Sequence, residues 1–553
     1  MSASIAASPH FNPFAFPARD PKLSKPVETK SRYTRHVLAF WFGVIYILAG
    51  VSCHLPDLIK NHFHFGGLPL TNMMLFGMLL IVCGIAAAAY GLFPVRDRAQ
   101  DASAEYQLQS MDNARLSGTH WLLIAVLGIA LVVDVMKPAT LGFVLPGMRK
   151  EYGISVNQSM TFPLIALIGT TIGSLVWGML ADRLGRRGSI LLASLIFVST
   201  GICGCMPAFK WNLVMCLFMG LSAGGMLPIV FALLAEMVPA RHRGWLSVLV
   251  GGLGTSGGYL VASGAAAWLE PLYTWRVLWL LNIPTGLLVI LLSRFIPESP
   301  RFLLHMGRVE DAAKTLARFG IQLVRTTKVE PREPAKHSIQ QLFRKPYAAM
   351  TFAVCVYGIA WGLVQWGFVL MLPTIMQGYL QLDSRIANLL LARSALIAVP
   401  GCLVVSCLYG FWSSKRTLVL FAIGTCAVLV GFSTISGGAD FDQFRFSALT
   451  VMLLVGLSGM ISMLPVYGVE LYPTRLRGTG GGLTAGSTKF GGVIGPSIVG
   501  VILTAFPGFV VPALSFAAPL LLAAIALSLN GRETSGRTLE EIHQVPAPVE
   551  AVK

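Results

Sequence analysis

Asp134 and Lys137 stand one helical turn apart inside an apolar run at 121–144. Residues three apart share a helix face, and each charge costs about 2.5 to 3.5 kcal/mol at a bilayer centre if it faces lipid. The pair is therefore expected to face a central cavity, with Asp134 carrying a proton and Lys137 balancing it. The alternative is a mutually neutralising structural pair. Pro138 follows, and its ring displaces the carbonyl four residues back, that of Asp134, freeing a polar backbone group at the same depth. Further along, Arg393 lies about two turns inside its apolar run, and Lys489 lies about eleven residues, roughly 16 Å, beyond the start of its own. Two fixed cations facing a wet cavity attract a carboxylate, which Arg393 can hold through two parallel hydrogen bonds. The alternative for Arg393 is that its stem carries the guanidinium to the outer interface. Tyr357, Trp361 and Gln365 recur at four-residue spacing beside Trp366. Such a stripe sandwiches a ring or covers a sugar, or else packs as membrane-helix aromatics do.

The elements that position these residues are membrane helices. Only 12% of the 553 residues are charged and 55% are hydrophobic, and several uncharged runs reach the length of about 20 residues that spans a bilayer. The net charge of +17 falls mainly in alternate short loops, the positive-inside pattern, which argues against nucleic acid as a partner. The nine cysteines all lie within apolar runs and read as small core residues rather than a disulfide or metal framework. His54, His62 and His64 with Asp57 have generic spacing and read as a polar loop. GLGTSGG lies inside an apolar run and lacks the Lys-Ser/Thr ending of a phosphate cradle. No metal, cofactor or catalytic constellation is expected, and so no enzyme.

Two early spans, near 37–53 and 72–93, precede twelve more between about 121 and 529. This divides the chain into an N-terminal tail (1–36), two extra transmembrane helices (37–93), a polar linker (94–118), a six-helix bundle (119–295), a loop (296–347), a second six-helix bundle (348–530) and a C-terminal tail (531–553). The basic N-terminal stretch, the ADRLGRRG turn and the long loop fall on one side, which is expected to be cytoplasmic, with both termini there. No cleavable signal peptide is expected, because the first 36 residues are polar and Pro-rich. RVEDAAKTLARFG within the long loop, with acids preceding bases, predicts a connecting helix.

One phrase is written twice. Glu236, Pro239, Arg241, Arg243 and Gly244 recur as Glu470, Pro473, Arg475, Arg477 and Gly478, and Gly257-Gly258 recurs as Gly491-Gly492. Repeated charged helix ends in an apolar chain signal two matching halves. Gly178, in GMLADRLGRR, is expected to let two helices approach closely, and Asp182 to satisfy the amides at a neighbouring helix start. Glu236, Arg243, Glu298 and Arg301, with Glu470, Arg475 and Arg477, are expected to pair with Arg186 and Arg187 across the cytoplasmic rim. Such a network closes and opens as a gate. The alternative is that these cations only obey the positive-inside rule.

GMLADRLGRR, with Gly178, Asp182, Arg183, Gly185, Arg186 and Arg187 in place, resembles the loop between the second and third helices of major facilitator transporters. PESPRFLLHMGRVEDA from Pro297 and ETSGRTLEEI from Glu533 resemble signatures of the sugar porters and their organic-ion and aromatic-acid:proton symporter relatives. The resemblance covers roughly 119–542 and implies an all-α membrane fold of two six-helix bundles. Aromatic-acid symporters keep two acids three residues apart in the helix that carries Asp134; Lys137 replaces the second. Cys216 stands where relatives commonly have a membrane-embedded Arg, and Lys489, in GSTKFGG, where they usually have Arg. Glutamine-rich sugar-binding phrases are absent from the helix of Tyr357, and GGLGTSGGYL lacks the Gly-Pro pair of drug:proton antiporters. The expectation is a monomeric secondary transporter of the inner or plasma membrane that takes up a small organic anion, aromatic or another carboxylate, with protons. A sugar or polyol transporter, and a transporter-like membrane sensor, are the alternatives.

Overall fold

The computed structural model describes residues 26–93, 106–108, 116–321, 323–325, 338–435, 441–472 and 476–535. Among them, 14 helical segments are long and apolar enough to cross a bilayer. They are α1 (Arg35–Lys60), α2 (Asn72–Leu92), α3 (Gly118–Tyr152), α4 (Val156–Leu184), α5 (Arg186–Cys205), α6 (Phe209–Met237) and α7 (Arg241–Tyr273). After them come α8 (Val277–Phe295), α9 (Ala348–Gly378), α10 (Ser384–Trp412), α11 (Ser414–Phe432), α12 (Gln443–Glu470), α13 (Thr479–Ala505) and α14 (Val510–Asn530).

Helices α3–α8 and α9–α14 form two six-helix bundles. In each, the first helix packs on the fifth, the second on the fourth and the third on the sixth, so the repeat seen in the sequence is a repeat of packing. The bundles meet where α7 lies against α10 and α12, α4 against α13, and α3 against α9. Small residues allow these contacts: a side chain on Gly142 of α3 would start 2.6 Å from the Leu370 carbonyl of α9. Two helices come this close only where at least one lacks a side chain at the contact.

The extra helices α1 and α2 form an antiparallel hairpin on the first bundle. Its apolar inner face packs on α5 and α8 through Val44, Ile47, Ile81, Leu195, Val198 and Ile283. Glycines at heptad spacing let the hairpin close: a side chain on Gly50 would start 2.5 Å from the Gly77 carbonyl, and one on Gly84 2.8 Å from the Gly43 carbonyl. The hairpin loop is pinned by Glu151 at the end of α3, whose Oε1 accepts from the amides of Phe65 at 3.1 Å and Gly66 at 2.8 Å. Glu151 also pairs with Arg276 at 2.8 Å.

The loop after α8 contains the predicted connecting helix, Val309–Arg318, preceded by a short one, Pro300–His305. The linker, expected as a polar connection, and this loop also share a two-stranded antiparallel ribbon: β1 (Tyr106–Leu108) pairs with β2 (Leu323–Arg325), Gln107 opposite Val324. Helix α3 runs on through Pro138 and Pro146, and Pro138, having no N–H, leaves the Asp134 carbonyl without its helical donor. Cys83 and Cys407 are exposed on the outer faces of the spans α2 and α10.

Candidate functional site at the bundle interface

Asp134 and Lys137 both line a small cavity within the first bundle, with Ala193 and Phe197 of α5, Ser222 of α6 and Gly286 of α8. Lys137 is buried within the first bundle, where its Nζ donates to Ser222 Oγ of α6 at 3.0 Å and lies 3.0 Å from the centre of the Phe197 ring of α5. Ser222 passes the chain on to the Ala193 carbonyl at 3.1 Å. The expectation that both residues face the central cavity is therefore corrected for Lys137. A hydroxyl and an aromatic face solvate its ammonium inside the bundle. Asp134 keeps 8% of its surface exposed and interacts electrostatically with Lys137 and with Lys489. Lys489 comes from α13 in the other bundle, and its Nζ lies 3.5 Å from the Thr170 carbonyl of α4. An acid of one half and a cation of the other thus face each other across the interface.

Further along α3 is a cavity between the bundles, lined by Ala139, Gly142 and Phe143 of α3, Tyr259 of α7, and Gln365, Trp366, Val369, Leu370 and Pro373 of α9. Gln365 and Trp366 sit in a π-helical turn, Val364–Val369. Such a turn adds a residue to one helical repeat and rotates the rest of the helix, a feature frequent at functional sites. The expected stripe is split. Tyr357 donates to the Leu418 carbonyl at 3.2 Å and Trp361 to the Leu457 carbonyl at 2.9 Å, so both turn into the second bundle. Of the predicted three, only Gln365 reaches the cavity. Trp366 lies against Gly492, one turn beyond Lys489, where a side chain would start 2.7 Å from the indole.

Tyr259 was not singled out by the sequence. It is 6% exposed, its ring centre is 5.6 Å from that of Phe143, and its hydroxyl is buried with no partner among the described residues. The available signal was its place in GGLGTSGGYL, where one large polar ring interrupts a run of small residues.

Arg393 does not reach this cavity. It is exposed on the face of α10 that carries Leu396 (61% exposed) and Ile397 (63%), while Asn388 and Cys402 on the opposite side meet the first bundle. The guanidinium therefore follows the snorkelling alternative.

The charged rim also differs from the expectation. Gly178 is exposed, with open space where a side chain would begin, so it brings no two helices together. Asp182 pairs with Arg186 one turn on, at 2.9 Å, with three quarters of its side chain in the open. The amides that begin α5 are satisfied by Glu298 instead: its Oε1 accepts from Arg186 N at 2.6 Å and Arg187 N at 3.3 Å. Glu236 accepts from Ser299 Oγ and lies 4.0 Å from Arg186. These links stay within one bundle rather than crossing the rim. Burial pushes the Glu298 carboxyl above its ordinary range, opposed by the amides of Ser299, Arg186 and Arg187. Arg183 and Arg301 are exposed.

In the second half, Glu470 Oε2 accepts from Tyr409 at 2.9 Å and Thr534 at 2.6 Å. Its Oε1 lies 3.7 Å from where a side chain on Gly244 of α7 would begin. This copy of the repeated acid does reach the other bundle, next to Arg243. Arg475 and the side chain of Arg477 fall outside the described residues.

The Major Facilitator Superfamily profile matches residues 122–496. The niacin transporter NiaP of Acinetobacter baylyi is 27% identical over 440 residues, spanning 78% of this chain and 98% of that protein. A gallate transporter of Pseudomonas putida is 27% identical (76% and 94% covered), and the 4-hydroxybenzoate transporter PcaK of A. baylyi is 28% identical (71% and 87%). Among solved structures, the xylose transporter XylE from E. coli, in a partially occluded inward open conformation, aligns with a TM-score of 0.60 at 15% identity, over 76% of this chain and 100% of that one. The profile spans both bundles, from the start of α3 into α13, and so matches the repeat that the fold displays. The chain belongs to the Major Facilitator Superfamily, and it is a multi-pass membrane transporter rather than an enzyme.

Proposed function

We propose that this protein takes up a small organic anion, an aromatic carboxylate, together with a proton, by alternating access. The observation that carries the reading is the charge pair split between the halves: Asp134 on α3 and Lys489 on α13 interact electrostatically across the interface. Lys489 is the cation left to meet a carboxylate once Lys137 and Arg393 are turned away. A substrate carboxylate at Lys489 replaces Asp134 as its counter-charge, and Asp134, losing its cross-bundle partner, takes a proton. Neutralising both acids removes the field that holds the halves apart or together, so substrate and proton move as one load. Phe143, Tyr259, Gln365 and Trp366 supply an aromatic chamber with two polar handles further along α3 from Asp134. The names of the niacin, gallate and 4-hydroxybenzoate transporters support a ring-bearing acid as the load. The basic rim is assigned to the cytoplasm by the positive-inside rule, with uptake from the opposite side and both tails inside.

Purified protein in liposomes tests this. A panel of labelled aromatic acids, aliphatic acids and sugars is presented with and without an inward proton gradient. Gradient-driven accumulation of an aromatic acid is expected, with Asp134→Asn abolishing accumulation but retaining exchange of labelled for unlabelled substrate. Accumulation of sugars but not acids, or unchanged gradient-driven uptake by Asp134→Asn, overturns the assignment.

A further inference from the structure

A second carboxyl group also bonds directly to the opposite bundle, far from Asp134. Glu270 lies near the end of α7 on the side away from the basic loops, and its Oε2 accepts from Asn388 Nδ2 at 2.7 Å and from Ser384 Oγ at 3.1 Å, both on α10. Ser384 and Asn388 are one turn apart and touch each other at 3.3 Å, so the acid sits in a preformed cradle. No described ion pair gives Glu270 a cation. The titratable group that acts on it electrostatically is Asp383, another acid. The amide end of α10, which would favour an anion, is already capped by Asp383, which accepts from Arg385 N at 2.9 Å. Asn388 Oδ1 is buried without a partner among the described residues.

We propose that Glu270 is a second protonation site of the transporter, one that latches the two bundles together on the side opposite the basic loops. With the bundles closed there, a carboxylate would be held away from water, beside a like charge and without a counter-ion, whereas the neutral acid keeps both accepted bonds on Oε2 and carries its proton on Oε1. Parting α7 from α10 hands the group back to water, where it ionises. Closing this side therefore takes up a proton and opening releases it, by reciprocity between proton binding and conformation. This step is separate from the Asp134–Lys489 exchange and needs no substrate.

The test reads opening on that side directly. Met160, at the start of α4, is buried against Gly500 of α13, so a Met160→Cys thiol is covered when the bundles are closed there. Alkylation of this cysteine by a membrane-impermeant maleimide in proteoliposomes without substrate is quantified by mass spectrometry of its peptide. At each pH the rate is normalised to the same peptide in the denatured chain. With Glu270 intact, the normalised rate is expected to rise at least about fivefold between pH 5.5 and 8.5 as the latch ionises. Glu270→Gln, a permanently neutral isostere, should be slow and flat across that range, and Glu270→Ala fast and flat. The pH response should persist in an Asp134→Asn background, which separates this site from the proposed coupling acid. A pH-independent rate with Glu270 intact, a Glu270→Gln rate that rises in parallel, or a response lost in Asp134→Asn overturns the proposal. If Glu270→Ala does not reconstitute, the comparison with Glu270→Gln decides alone.

Discussion

Glu298 and Glu533 hold matching places in the two bundles. Each comes after the last span of its half and turns back to accept from the amides that begin the third helix: Arg186 N for Glu298 at 2.6 Å, Ser414 N for Glu533 at 2.9 Å. The next residue, Ser299 or Thr534, donates to the repeated acid Glu236 or Glu470. The doubled phrase in the sequence is thus one part of a doubled latch, tying the third, fourth and sixth helices of each half into a rigid body.

The two latches should respond to pH in opposite directions. Burial pushes the Glu533 carboxyl up, but donors from Ser413, Ser414 and the Ser535 amide outweigh it and hold the group below the usual carboxylate range. A depressed folded-state pKa adds stability that is present above the unfolded value and lost as pH falls. Glu298, raised by burial, contributes the reverse: stability present at low pH and lost as pH rises. Each cap should contribute on the order of 0.5 to 2 kcal/mol. Melting of purified Glu533→Gln should show a deficit that shrinks from pH 8 to pH 4, and Glu298→Gln a deficit that grows over the same interval. Deficits that move together show the two latches to be equivalent in charge.

Lys489 and Arg393, alike in the sequence as cations within apolar runs, should separate in transport. Losing a charge-assisted hydrogen bond to a carboxylate costs about 1.5 to 3 kcal/mol, so Lys489→Ala should raise the KM for an acid substrate about ten- to hundredfold. Arg393→Ala, on the exposed face of α10, should change KM less than about twofold. Uptake kinetics on matched amounts of reconstituted protein check both; a large KM effect at Arg393 places its head in the cavity after all.

How far the sequence carries depends on which dimension is asked. Length along the membrane normal is set by the extent of apolar runs, which is why the 14 spans and the doubled phrase at their ends are readable. Rotation about each helix axis is not. A transmembrane helix is apolar on both its lipid and its protein face, so no stripe marks the inside, and Lys137, Tyr357 and Trp361 point away from the expected cavity while Arg393 points outward. The π-helical turn at Val364–Val369 adds a further shift that four-residue spacing does not reveal. At the rim, Asp182 is the nearest acid in sequence to the start of α5, yet the acid that caps it is Glu298, more than a hundred residues on. Proximity along the chain favoured the wrong partner because the sixth helix returns beside the third.

The extra hairpin should be a fixed part of the first bundle rather than a loose appendage. Its loop is held by Glu151, and α1 and α2 close on each other at glycines: a side chain on Gly77 would start 2.6 Å from the Gly50 carbonyl and 2.7 Å from the His54 ring. Gly77→Leu forces the hairpin apart and should destabilise it by about 1 to 3 kcal/mol, the range for overpacking. Limited proteolysis at the hairpin loop should then accelerate about tenfold or more. Unchanged proteolysis and melting mean that the hairpin yields without disturbing the bundle.

Tyr259 should decide which ring substituents the transporter accepts. Its hydroxyl is buried, lacks a partner among the described residues and lies in the wall of the interface cavity with Gln365. An unsatisfied buried hydroxyl costs about 1 to 3 kcal/mol, which a substrate bearing a ring hydroxyl or ring nitrogen recovers and an unsubstituted aromatic acid does not. Sites built to bond a polar substituent discriminate strongly against analogues that lack it. Tyr259→Phe keeps the ring against Phe143 and removes only the oxygen. In competition uptake, the variant should therefore lose about five- to thirtyfold of its preference for hydroxylated or ring-nitrogen acids over the plain aromatic acid, while uptake of the plain acid stays level or improves. Equal losses for both substrates mean that the oxygen supports the helix packing and does not read the ring.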